Sequence, residues 1–240
     1  MGMNSTIVRL SGKLLLPIIL LLMTGCSSAT DQNQAASNPS TSASANASPT
    51  SSSDLQSLCE PATATGHAAP AVGSPTKYLA KKKYSFTLVT NCGDIEFEAD
   101  AAKAPATVTS MGFLANAHYF DGTLCHRLTT SGIFVLQCGD PTATGSGGPG
   151  FTFSDENLPS QSGVNYPKGT VAMANSGPNT NGSQFFLVYA DTTLGPNYTI
   201  WGTITKGMDI LEKIAANGTS DGGPDGSPKF PIEIRTARIQ

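Results

Sequence analysis

Charge is scarce in this 240-residue chain: Asp, Glu, Lys and Arg make up only 13% of it, and the formal net charge is −3. Arg9 and Lys13 lie in a leader discussed below, which leaves 12 basic against 17 acidic residues, a balance of −5. With so little positive charge, nucleic acid is not expected as a partner. Lys81-Lys82-Lys83 is the densest basic run and reads as a solvated edge. Histidine is rarer still. His67, His118 and His126 do not have the spacing of metal ligands, so no metal is expected. The glycines of Gly145-Ser146-Gly147-Gly148-Pro149-Gly150 are not followed by Lys-Ser/Thr, which excludes a phosphate cradle and leaves a flexible loop. An acid–base pair is also wanting. Asp155 and Glu156 are adjacent, and neighbouring side chains on an extended chain diverge, so a surface turn is the better reading. What the chain does have is 25 Gly, 16 Pro and 39% hydrophobic residues, enough for a domain with a core and many turns. That balance favours a β-rich fold over a helical bundle.

The first residues read as a targeting segment. Arg9 and Lys13 precede an apolar run, Leu14 to Met23, that is too short for a finished membrane helix of about 20 residues. It ends in Met23-Thr24-Gly25-Cys26, which resembles a bacterial lipobox, with Met23 where leucine is usual. The alternative is an ordinary secretory signal with a chance cysteine. Lipidation at Cys26 is preferred because a polar tract of Ser, Thr, Ala, Asn, Gln and Pro starts directly after it. Such a tract cannot bury enough apolar surface to offset chain entropy. Residues 1–25 are therefore expected to be a lipoprotein signal and 26–58 a disordered tether. Residues 59–82 are expected to form an extension wrapping the domain, and 83–240 the domain itself. The expected location is the extracytoplasmic face of a bacterial cell membrane, held by lipid.

Within the domain, Tyr84 to Thr90 and Ile95 to Ala99 alternate around the turn Asn91-Cys92-Gly93-Asp94, predicting a hairpin. Pro105 opens a helix to about His118. Short strands are expected over Leu124–Leu128, Ile133–Gly139, Thr170–Ala174, Gln184–Val188 and Ile200–Ile204, a second helix over Gly207–Ala216, and a closing strand from Ile232 onward. Thr142–Gly150 and Asn217–Pro228 read as glycine-dense loops. Many short strands with two helices predict a mainly β fold, an antiparallel barrel with helix-covered ends. Cys59, Cys92, Cys125 and Cys138 allow three pairings. Cys125–Cys138 across a hairpin, with Cys59–Cys92 pinning the extension, is preferred, and four free buried thiols remain the alternative.

The stretches Cys125-His126-Arg127, Gln137-Cys138-Gly139-Asp140, Met173-Ala174-Asn175 and Gly182-Ser183-Gln184-Phe185-Phe186 supply a permanent cation, amides and apolar side chains, but no activated nucleophile. This inventory suits a reaction that needs shape and hydrogen bonds, such as rotation about the peptide bond before proline. A lone arginine on a strand is usually a solvated charge. Here the following strand, Phe134-Val135-Leu136-Gln137, can return Phe134 and Gln137 toward Arg127. His126-Arg127, the run Phe134 to Asp140 and the ungapped block Met173 to Phe186 resemble the cyclophilin-type peptidyl-prolyl cis-trans isomerases, over about Tyr84 to the C-terminus. The resemblance implies a closed eight-stranded antiparallel barrel capped by two helices. It implies that Arg127, Phe134 and Gln137 are catalytic. It also implies that Met173, Ala174, Asn175, Gln184, Phe186, Leu194 and Tyr198 hold the proline-containing segment of a client protein. No cofactor is implied, and a monomer is expected.

Four departures from the family pattern stand out. The loop after Arg127 is two residues longer than in common members. Thr193 replaces a tryptophan that helps bind cyclosporin, so weakened cyclosporin affinity is expected. Tyr198 replaces a frequent histidine. Cys125 replaces a common phenylalanine, which favours the disulfide across the hairpin. The expected activity is prolyl isomerisation that assists folding of secreted or surface proteins. The rival is a module that holds proline segments with little turnover; a holder needs only the apolar pocket, so Arg127, Gln137 and Gln184 together favour the enzyme.

Overall fold

Alternation of apolar and polar residues builds the first hairpin. In β1 (Lys83–Thr90) and β2 (Gly93–Asp100), Phe86, Leu88, Ile95, Phe97 and Ala99 are buried while their neighbours face outward. The turn closes over Asn91-Cys92, with Thr90 paired to Gly93 at φ 109°, a backbone angle that favours glycine. The computed structural model describes residues 59–240; the leader, Cys26 and the tether lie outside the described residues.

Helix α1 (Pro105–Asn116) starts on a proline already set to the helical φ. It has no capping side chain of its own. Glu156 serves instead, its carboxylate accepting the Ala106 and Thr107 amides at 3.0 and 2.9 Å. The rest of the domain follows as β3 (Thr123–Leu124), β4 (Arg127–Thr129), β5 (Val135–Cys138), β6 (Thr170–Met173), β7 (Phe185–Val188), β8 (Ile200–Lys206), α2 (Met208–Asn217), β9 (Asp225–Gly226) and β10 (Glu233–Ile239). The sheet order is β3-β10-β1-β2-β8-β6-β7-β5-β4-β9, and every pairing is antiparallel. Ten strands form where eight were expected. The single strand predicted over Leu124–Leu128 divides at Cys125-His126 into β3 and β4, and the glycine-dense loop Asn217–Pro228 contributes β9. Because β3 and β4 sit near opposite ends of the order yet only two residues apart in the chain, the sheet must curl back toward itself.

Two apolar clusters result. The main core lies on one face of the curled sheet, where Trp201 meets Phe86, Phe97 and Phe185 edge-on at 5.5, 5.0 and 6.1 Å. Each such aromatic pair adds about 0.5–1.5 kcal/mol beyond its buried area. A second cluster, Val135, Tyr166, Ala172, Phe186 and Val188, covers the opposite face of β5, β6 and β7. It forms the floor of the site described below.

The extension over residues 59–82 lies along the domain. Thr63 and Ala64 donate their amides to the buried carboxylate of Glu233 (2.6 and 3.2 Å), His67 donates its amide to the Pro141 carbonyl (2.9 Å), and Leu79 donates its amide to the Thr109 hydroxyl (2.9 Å). Covered by β10 on one side and Leu79 on the other, α1 buries polar Thr107, Thr109 and Ser110 along with its apolar residues. Disulfides join Cys59 to Cys92 and Cys125 to Cys138.

Candidate functional site

β4 and β5 place Arg127 directly opposite Gln137. Side chains on paired strands that stand opposite share a face, so guanidinium and amide meet: Arg127 Nη1 donates to Gln137 Oε1 at 3.1 Å. The chain of bonds continues. Gln137 Nε2 donates to Gln184 Oε1 at 2.8 Å, and Gln184 Nε2 donates to the carbonyls of Gly145 and Gly147 at 3.0 and 2.9 Å. Each amide is thereby oriented by its neighbour, and Arg127 is linked through them to the glycine-rich loop.

The other edge of the guanidinium meets Asp225 on β9. Arg127 Nε and Nη2 donate to its two carboxylate oxygens, both at 2.7 Å. This bidentate pair raises the Arg127 pKa, chiefly through the hydrogen bond to Asp225, and lowers that of Asp225 by the same bond. A guanidinium carries five N–H donors. Three are engaged here, and two remain.

Arg127 forms the rim of a hollow of about 190 Å³ lined also by Ile133, Val135, Gln137, Ala174, Asn175, Phe186, Leu194 and Tyr198. The Tyr198 ring stands edge-on to Phe186 at 5.6 Å. Behind them lies Tyr166, fully buried, whose hydroxyl donates to the Tyr198 carbonyl at 3.1 Å and accepts the Tyr198 amide at 3.0 Å. Burial pushes the Tyr166 pKa up to about 12, so it stays a neutral hydroxyl. Asn165 fixes Leu194 in the same manner, its Nδ2 donating to the Leu194 carbonyl and its Oδ1 accepting the Leu194 amide at 2.6 and 3.0 Å. Asn175 is held by donation from Nδ2 to the Asn197 carbonyl at 2.8 Å. A larger depression of about 410 Å³ adjoins the hollow through Gln137, Ala174 and Asn175 and is walled by Gly145–Thr152 and Gln184.

Arg127, Gln137, Ala174, Asn175, Phe186, Leu194 and Tyr198 thus converge as expected, and Gln184 joins them through Gln137. Two expected residues do not. Phe134 points to the opposite side, where its ring packs edge-on to Tyr189 at 6.0 Å. Strand parity is the reason: Val135 and Gln137 face the hollow, and a residue three positions from Gln137 cannot share its face. Ile133 and Val135 occupy the wall instead. Met173 is fully buried in the main core, because on β6 the alternate residues Ala172 and Ala174 face the hollow side. The same period-2 count, applied to the sequence, would have exchanged Phe134 for Val135 and demoted Met173. Asn165, Tyr166 and Asp225 carried no such local signal.

His126 is enclosed, with neither ring nitrogen hydrogen-bonded. Burial lowers its pKa first; Arg127 lowers it further against an opposing pull from Asp140, which favours the neutral ring. Among the described residues no group of three or more His, Cys, Asp or Glu is placed to hold a metal ion.

The loop behind Gln184 is organised by Asp140 rather than being loose. Asp140 is fully buried, and its carboxylate accepts the amides of Thr142, Gly145 and Gly147 at 2.8, 2.7 and 3.0 Å and the Thr142 hydroxyl at 2.7 Å. A Cβ at Gly147 would stand 2.0 Å from an Asp140 oxygen, so only glycine fits there. Burial alone would raise the Asp140 pKa, but the Thr142 hydroxyl and the Gly147, Thr142 and Gly145 amides outweigh it and hold the value below the ordinary one. A depressed folded pKa stabilises the fold above the unfolded value of about 3.9 and loses that effect as pH falls through the folded value. Asp140→Asn is therefore expected to cost about 2 kcal/mol near neutrality, a gap that closes below roughly pH 4. Urea unfolding of both proteins from neutrality down to about pH 3 measures it.

Comparison with known proteins identifies the family. The family model described as "Cyclophilin type peptidyl-prolyl cis-trans isomerase/CLD" matches residues 85–239. "Probable peptidyl-prolyl cis-trans isomerase B" of Mycobacterium leprae is 48% identical over 166 residues, covering 65% of this chain and 56% of the relative. Its Mycobacterium tuberculosis namesake is 46% identical over 166 residues, covering 65% and 54%. The chain thus spans about half the length of these two relatives. A crystal structure of a Cryptosporidium parvum cyclophilin-type peptidyl-prolyl cis-trans isomerase superposes with a TM-score of 0.57 at 30% identity, covering 66% of this chain and 98% of that one. The same protein in the presence of the dipeptide Ala-Pro gives 0.56, covering 65% and 98%. This chain belongs to the cyclophilin-type peptidyl-prolyl cis-trans isomerase family.

Proposed function

We propose that this chain is a peptidyl-prolyl cis-trans isomerase whose substrates are proline-containing segments of secreted or surface proteins, and that it assists their folding. The observation that carries the reading is a guanidinium with two uncommitted N–H groups at the rim of a hollow of about 190 Å³ whose apolar walls are Ile133, Val135, Phe186 and Leu194. Rotation of the bond before proline faces a barrier of about 18–20 kcal/mol, because it destroys amide resonance. At the twisted midpoint the imide nitrogen becomes pyramidal and gains a lone pair. Arg127, protonated at every relevant pH, donates to that lone pair without itself exchanging a proton. The bond strengthens only in the twisted state, so it lowers the barrier; equal affinity for both isomers would not. Phe186, Leu194 and Tyr198 grip the ring while the chain on the other side of the bond turns. The crystal structure of the related protein with Ala-Pro supports the substrate class.

The test is exchange spectroscopy on a short Xaa-Pro peptide with substoichiometric protein. Cross-peaks between the cis and trans forms at rates far above the uncatalysed exchange, which takes tens to hundreds of seconds, are the expected result. Binding without exchange identifies a holding module instead. Cyclosporin is expected to inhibit weakly, since Thr193 is an exposed residue engaged with the Gly163 carbonyl at 3.2 Å. A titration of the exchange rate reads this directly.

The lipobox-like Met23-Thr24-Gly25-Cys26 and the polar tract after it support a lipoprotein form, anchored through Cys26 at the extracytoplasmic face of the membrane and acting as a monomer. The two disulfides fit such an oxidising location. Intact mass of the membrane-extracted protein decides whether Cys26 carries acyl chains. We further read the curled sheet as a closed barrel of the eight-stranded type, supported by the two-residue Cys125-His126 link between its two ends.

A further inference from the structure

The isomerase reading leaves one charged side chain of the site without a task. We propose that Asp225 is a positioning residue for Arg127: by clamping Nε and Nη2 it fixes the plane of the guanidinium so that the two remaining N–H groups are presented to a substrate imide nitrogen. This rests on the isomerase reading of the hollow.

The loop that carries Asp225 is built to hold it in place. β9 pairs with β4, Asp225 opposite Thr129 and Gly226 opposite Leu128. Thr130 donates its amide to the Pro224 carbonyl at 2.8 Å, and Ser220 donates its amide to the Ser227 carbonyl at 2.8 Å. Asp221 gathers the loop from inside, accepting the Thr219 hydroxyl at 2.9 Å and the Gly223 amide at 3.0 Å. Asp225 is therefore anchored to the same strand, β4, that carries Arg127. On the remaining side Gln137 takes one Nη1 hydrogen, so both edges of the guanidinium are constrained.

A carboxylate beside the catalytic cation has two opposed effects. It orients the cation, and it offsets part of its charge. Which one dominates sets the sign of the mutational effect. The Arg127 and Asp225 side chains are 39% and 51% exposed, so water and salt screen the Coulomb component. Orientation is not screened, and misplacing a catalytic group by about 1 Å can cost up to a hundredfold in rate. Orientation should dominate, and loss of Asp225 should slow the reaction.

The experiment compares the full-length oxidised protein with Asp225→Ala, Asp225→Asn, Arg127→Ala and the Arg127→Ala/Asp225→Ala double variant. Peptide exchange rate, peptide Kd and thermal midpoint are measured for each. Asp225→Ala is expected to lower kcat/KM roughly tenfold with Kd and midpoint nearly unchanged. Asp225→Asn, which keeps one oxygen acceptor, should fall between it and the wild type. In the Arg127→Ala background, removing Asp225 should have no further effect, because the residue acts only through the arginine. The proposal is overturned if Asp225→Ala and Asp225→Asn match or exceed the wild type, or if Asp225→Ala lowers the rate by the same factor when Arg127 is absent. Should Asp225→Ala fail to fold, the near-isosteric Asp225→Asn carries the same comparison. A wild type without exchange activity would sink the isomerase reading itself; an active wild type indifferent to Asp225 would sink only this role.

Discussion

Replacing Arg127 by alanine is expected to lower kcat/KM for a Xaa-Pro peptide by two to three orders of magnitude while the peptide still binds. Removing one preorganised donor to developing charge costs about 2.7–4 kcal/mol in the transition state, which is the source of that range. Little of this should reach the ground state, because Phe186, Leu194 and Tyr198 form the apolar grip and are untouched. Arg127→Lys should recover only part of the rate: an ammonium keeps the charge but cannot bond Asp225 and Gln137 together in one plane. The fold should tolerate the change, since the Arg127 side chain is 39% exposed and its ion pair with Asp225 lies at the surface. Exchange rates and peptide Kd, measured side by side, check this. An alanine variant with wild-type turnover would remove Arg127 from the mechanism.

Reduction of both disulfides is expected to be the largest single blow to stability. Cys125–Cys138 spans 13 residues of sequence and Cys59–Cys92 spans 33. Chain-entropy arguments assign about 3 and 4 kcal/mol to loops of these lengths. Their sum is comparable with the whole stability of a typical domain, about 5–15 kcal/mol. The urea midpoint should fall steeply on adding dithiothreitol, and an unmoved midpoint would contradict the assignment. The two bridges should also differ in function. Cys125 stands two residues before Arg127, and Cys138 directly follows Gln137, so Cys125→Ala/Cys138→Ala should slow exchange as well as weaken the fold. Cys59→Ala/Cys92→Ala should free the extension from Asn91 and Glu233 and cost stability, with the hollow unaffected.

The two disulfides illustrate how far the chain could be read unaided. Their preferred pairing followed from the hairpins that local alternation predicted, and both pairs form. Glu156 is the opposite case. Read alone, it was one of two adjacent acids in a surface turn. In the fold it caps α1 from 50 residues away. The glycine-rich stretch after Asp140 likewise looked flexible, whereas a buried carboxylate draws its amides into a fixed wall for the site.

What the amino-acid order determined by itself is whatever repeats over short distances or matches a long block. This includes the alternating strands, the proline-led helix, the family likeness over Met173–Phe186 and, only through what that likeness implies, the set Arg127, Gln137, Asn175, Phe186, Leu194 and Tyr198 that meets at one hollow. Period 2 divides β5 and β6 into two faces, but tertiary structure decided which face turns to that hollow, setting Phe134 against the core, Met173 within it and Val135 forward. It alone delivered Asp225 to Arg127 across 98 residues. The physical reason is the same in both instances. Side-chain direction and distant pairing depend on where strand registers lock, and register is settled by burial over the whole sheet rather than by any local run of residues.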